Sequence, residues 1–108
     1  MQLELTLSAP ADPELEEVAR LTRYLYEAGD RWVKARQIAA ALGVDDRKVR
    51  SLASASRGEV VSGPGCPGYK HVRHCDPEEV ARVTAQLTRQ AKLMADRAGE
   101  IRRRFHGV

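Results

Sequence analysis

Apolar and polar positions follow three rhythms along this chain. Leu3, Leu5 and Leu7 alternate strictly with polar residues, the period of a strand with one apolar face. Such a strand needs an edge to pair with, on a hairpin or on another chain; the alternative is a loosely packed tail. After a loop over residues 8–12 the period lengthens. Leu15, Val18, Leu21, Thr22 and Leu25 make a helical stripe to about Ala28, and Gly29 stops it. Asp12-Pro13-Glu14 is a strong start for that helix: Asp12 suits the cap, Pro13 the first helical position, and Glu14, Glu16 and Glu17 the positive end of the dipole. Residues 30–34 read as a short extended piece, with Trp32 and Val33 turned to the core and Arg31 and Lys34 outside.

The middle of the chain organises the rest. Ile38, Ala39 and Leu42 share one helical face, and Val49, Leu52 and Ala53 share another. The two faces meet only if the chain bends sharply between them. Gly43 permits the positive φ of such a bend, and Asp45 or Asp46 can cap the second helix. That helix runs to about Ser56 and leaves Arg47, Lys48, Arg50, Ser51 and Ser54 facing outwards. Next come two β-prone runs, Glu59–Ser62 and Tyr69–Arg73, around a Gly/Pro-rich connector, which read as a hairpin.

The third rhythm is a repeat of seven. Asp76-Pro77-Glu78-Glu79 is a second strong helix start, and one helix could run to about Phe105, on the order of 40 Å at 1.5 Å per residue. Val80, Leu87, Met94 and Ile101 recur every seven residues, as do Thr84, Ala91, Ala98 and Phe105. Together they form a seam suited to a second copy of the same helix, with Ala91 and Ala98 allowing close approach. The alternative folds the first half onto the domain and leaves the rest frayed.

The segment from Trp32 to Val72 resembles winged helix-turn-helix DNA-binding domains, particularly small phage and prophage proteins. The resemblance is carried by Ala39, Gly43, Ile38, Leu42, Val44, Val49 and Leu52, by Arg47-Lys48-Val49-Arg50, and by Gly68-Tyr69-Lys70 on the returning strand. It implies a winged helix-turn-helix, and with the helix read from Asp76 onwards the expected fold is mainly α with a small β-hairpin, a winged helix-turn-helix followed by a long C-terminal helix. The chain is then expected to divide into an N-terminal strand or arm (1–12), the winged domain (13–75) and a dimerisation helix (76–108).

Charge sharpens this reading. The net charge is only +3, but residues 1–30 hold two arginines against seven acids, residues 31–75 nine cations against three acids, and residues 76–108 seven against five. The positive excess lies on the two central helices and the hairpin, as expected for one basic face approaching a polyanion with the acidic helix turned away. The expected partner is double-stranded DNA, bound by a homodimer. Arg47, Lys48, Arg50, Ser51 and Ser54 are the groove-facing set, with Lys34 and Arg36 near the start of the preceding helix. Arg57, Lys70, His71 and Arg73 would add contacts from the hairpin. Asp45 and Asp46 count against close phosphate approach, unless they cap the helix or read cytosine amines.

Other classes find little support. No apolar run approaches membrane-spanning length and no basic-then-apolar leader opens the chain; two cysteines make no disulfide framework. The expectation is a soluble, cytoplasmic protein. Cys66, His71, His74 and Cys75 are the one cluster resembling metal ligands, but their spacing fits zinc poorly, so neither metal nor cofactor is expected. No phosphate-binding loop and no nucleophile-base arrangement stands out, and an enzyme is not expected.

Overall fold

The structure, a computed structural model, describes residues 13–107. The expected strand at Leu3, Leu5 and Leu7 and the cap at Asp12 lie outside the described residues. Among the described residues, four α-helices and a two-stranded antiparallel sheet follow in the order α1 (Pro13–Ala28), α2 (Ala35–Leu42), α3 (Asp46–Ala55), β1 (Val60–Val61), β2 (Lys70–His71) and α4 (Pro77–Phe105), with a 3₁₀ turn over Val72–His74 before α4. The fold is thus mainly helical, with a small hairpin and a long C-terminal helix.

The core forms where the helical stripes converge. Leu21 and Leu25 of α1, Ile38 and Ala39 of α2, and Val49 and Leu52 of α3 are buried together with Val33 and Val60. Leu42 and Ala53 are only half-buried at its margin. The bend between α2 and α3 is closed at Gly43, whose φ of 71° is left-handed; its N–H and that of Val44 both donate to Ala39 O, at 2.8 and 3.1 Å. A Cβ at Gly43 would meet no other atom within 4 Å, so glycine is required there by backbone conformation and not by space.

The hairpin is shorter than its β-prone runs. Val60 pairs with His71 and Val61 with Lys70. A further rung comes from the extended piece before α2, where Val33 and Tyr69 exchange both backbone hydrogen bonds at 2.8 Å. Gly68 lets these strands approach: a Cβ there would lie 2.5 Å from Val33 O. Buried Ser56 ties the end of α3 to the sheet, donating to Ala53 O at 2.7 Å and accepting from Val60 N at 3.1 Å. Its buried hydroxyl therefore both donates and accepts.

Helix α4 opens with a reciprocal capping box. Asp76 Oδ1 accepts from Glu79 N at 2.8 Å, and Glu79 Oε1 accepts from Asp76 N at 3.0 Å. Val83 is buried and Val80 half-buried; with Leu87 they close over Val60, Val61 and Val72 around a cavity of about 180 Å³. Beyond Gln86 every residue to Gly107 is exposed apart from half-buried Gly99, although Leu87 still touches the hairpin. The 29 residues of α4 span about 43 Å at 1.5 Å each, so its second half projects past the body. No helix among the described residues is long and apolar enough to cross a membrane.

Candidate nucleic-acid interface

Helix α3 is held by its underside. With Val49 and Leu52 fully buried, the 3.6-residue period turns Arg47, Arg50, Ser51 and Ser54 outwards, and all four are exposed. Asp45 is accounted for as the cap: its Oδ1 accepts from Lys48 N at 2.8 Å, so its charge sits on the positive end of the helix. Asp46 occupies the exposed first turn.

Lys48 is placed differently from its neighbours. It is half-buried and its Nζ lies 3.1 Å from Glu17 Oε1, which ties α3 to α1. The acidic helix is therefore not wholly turned away from the basic one. Arg20 of α1 also reaches across, donating to Leu42 O at 3.4 Å at the end of α2. Lys34 and Arg36 are exposed at the start of α2. Arg57 and Arg73 are exposed beside the hairpin, Arg57 with a left-handed φ of 57°.

Lys70 and His71, expected as hairpin contacts, are inside. Lys70 is 5% exposed; its Nζ lies 2.8 and 2.9 Å from the two oxygens of Glu79 and 5.1 Å from the centre of the Trp32 ring. Trp32 is half-buried, a lid on this ion pair more than a core anchor. The Lys70 ammonium and then the Asp76 N–H hold the Glu79 carboxyl below its usual range. His71 is 7% exposed. Its Nδ1 accepts from Arg73 N at 3.1 Å, its ring meets Tyr26 edge-on at 5.2 Å, and burial pushes its pKa down. The expectation of outward contacts fails at both residues because the hairpin is covered on two sides, Lys70 by Glu79 of α4 and the Trp32 ring and His71 by Tyr26 of α1.

Cys66, His71, His74 and Cys75 do not assemble into a metal site: no cluster of three or more such ligands occurs among the described residues. Both cysteines are free thiols. His74 Nε2 lies 2.8 Å from Tyr26 O, and burial raises the Cys75 pKa, away from thiolate.

On the other flank of α3 the surface opens into a groove of about 740 Å³ between α3, the hairpin and α4. Arg50 and Ser54 form one wall, Ser62 and Gly63 the floor, and Leu87 and Gln90 the far wall; no acidic residue among the described residues lines it. The far wall was not legible in the sequence, because nothing local to Gln90 says that α4 passes beside α3.

Along α4 the seam divides. Val80 and Leu87 face the hairpin of their own chain. Thr84 is exposed at the rim of that contact and donates to Val80 O at 2.8 Å. Ala91, Met94, Ala98, Ile101 and Phe105 are all exposed, Phe105 by 83%. Comparison with protein-family models, curated proteins and solved structures finds no match for this chain.

Proposed function

We propose that this protein binds double-stranded DNA as a winged helix-turn-helix, with α2 and α3 as its two helices and the β1–β2 hairpin as its wing. The observation that carries the reading is the outer face of α3: Arg47, Arg50, Ser51 and Ser54 lie together, exposed, on a helix anchored by a buried underside. A helix about 10–12 Å across fits the major groove, where arginine bonds guanine edges and serine suits bases or phosphates. Lys34, Arg36, Arg57 and Arg73 supply phosphate contacts around it. Lys48 contributes charge from its bridge to Glu17, while Lys70 and His71 drop out of the contact set because they are buried.

The use we propose is transcriptional regulation or another phage or bacterial DNA transaction. The unit is a homodimer joined through α4, with the second copy on Ala91, Met94, Ala98, Ile101 and Phe105, since Val80 and Leu87 are engaged by their own hairpin.

The test is a salt titration of duplex binding. Replacing Arg47 and Arg50 together by alanine weakens binding at least tenfold and flattens the dependence of affinity on salt. Affinity and slope unchanged from the parent chain would refute the reading. A second reading then takes over: a protein adaptor whose docking surface is α4, favoured by the bare apolar stripe and by the loss of Lys70 from the basic face.

A further inference from the structure

The groove beside α3 extends the interface onto a helix outside the helix-turn-helix. We infer that the groove between α3, the hairpin and α4 seats the sugar-phosphate backbone of one DNA strand, and that Gln90 and Arg97 of α4 contact that strand. The inference rests on the DNA reading proposed above and deepens it.

A helix in the major groove has a sugar-phosphate backbone on each side. One flank of α3 is closed by α1, through the Lys48–Glu17 bridge, and by α2. The other flank, edged by Arg50 and Ser54, opens into the groove. Beside apolar Ala53, Val60, Pro64 and Leu87 it presents groups that suit a polyanion: a guanidinium, hydroxyls and an amide, with glycine backbone at Gly58 and Gly63 and, among the described residues, no carboxylate.

The row of α4 that forms the far wall then continues outwards. Val83, Gln90, Arg97 and Arg104 are spaced by seven, and each step drifts only about 20° around a helix. Val83 is buried under the hairpin and Gln90 lines the groove, so Arg97 comes next on the same side, about 10 Å further along. The capping box and the Lys70–Glu79 pair fix the rotation of α4 at its base and hence the aim of this row. A strand leaving the groove therefore meets Arg97 before solvent.

The experiment uses the full chain and a mixed-sequence duplex of about 30 base pairs, because non-specific binding is dominated by phosphate contacts. The variants are Gln90→Glu, Arg97→Glu and, as control, Arg103→Glu. Arg103 lies about 120° around the helix from Arg97, so the last two variants alter charge equally on different faces. Gln90→Glu and Arg97→Glu weaken binding at least threefold relative to Arg103→Glu, and Arg97→Glu reduces the slope of log affinity against log salt by about one more.

Equal effects of Arg97→Glu and Arg103→Glu, with Gln90→Glu like the parent chain, overturn the inference. Arg97 borders the apolar stripe, so light scattering accompanies each measurement; if Arg97→Glu also changes the mass, Gln90→Glu decides. When the Arg47/Arg50 double variant loses binding and these do not, only the α4 contact fails. When that double variant is also silent, the DNA reading has failed with it.

Discussion

Helix α1 and the second half of α4 carry the same kind of pattern and meet opposite fates. Both have apolar residues at helical spacing along one face. In α1 the row ends inside the core, with Leu21 and Leu25 fully buried under α2, α3 and the hairpin. In α4 the row is half-buried at Val80, already 42% exposed at Leu87, and fully bare beyond it, where Met94, Ile101 and Phe105 stand exposed. Periodicity therefore reports that a face is apolar but not what lies on it. A row left bare over four turns is the kind of surface that binds a partner, which is why the dimer proposal rests on the outer half of α4 alone.

The sharpest way to break this comparison is a pair of truncations. Leu25→Ala should cost about 2–5 kcal/mol, since it removes fully buried methyls and leaves a cavity. Ile101→Ala, measured by urea unfolding at concentrations dilute enough for a monomer, should stay within about 0.5 kcal/mol. A large loss at Ile101 under those conditions would mean that the outer row is covered within the chain.

The joint between the two regions offers a second test. Lys70→Ala leaves the Glu79 carboxylate, only 16% exposed, without its buried partner, and should lower the urea midpoint more than Lys48→Ala, whose bridge to Glu17 is only half-buried. The Lys70 effect also depends on pH. The Glu79 pKa is depressed in the folded state below its ordinary 4.5, so its stabilisation is present above about that value and lost as pH falls through the folded-state value. Equal midpoints for the two lysine variants would mean that the buried pair does not hold α4 to the body.

The smallest effect concerns His71. Burial lowers its pKa below 6.5, so the unfolded chain takes up more protons as the medium acidifies. Its contribution is complete above about pH 6.5 and is lost as pH falls through the lowered folded-state value. His71→Gln should flatten this part of the stability profile, as followed by thermal unfolding across pH. A profile identical to that of the parent chain would place the proton uptake on another group.

Local signals in the sequence carried far in some places and failed in others for a physical reason. The bend at Gly43, a cap at Asp45 or Asp46 and a helix start at Asp76 involve residues within a few positions of each other; the structure bends at Gly43, takes Asp45 of the two caps, and opens α4 at Asp76, with Glu79 completing a capping box. Lys70 was misjudged because its surroundings come from Trp32 and Glu79, on two other elements. The rung between Val33 and Tyr69 joins residues 36 apart, beyond the reach of any periodicity. Candidate contacts on α3 were legible because a helix with one buried side must expose the other; the groove wall at Gln90 was not, because it depends on the angle at which α4 leaves the hairpin.

That angle has a mechanical consequence. From Pro77 to Phe105 the helix is an unbroken rod, and its base is clamped by an ammonium and a carboxylate that are shielded from solvent. Over about 43 Å, a 10° change in tilt at the clamp moves the far end by about 7 Å. Protonating Glu79, or drawing Lys70 away from it, would thus be amplified like the swing of a lever. If α4 joins two copies, the separation of their α3 helices is set less by the seam between them than by one ion pair at the foot of each rod.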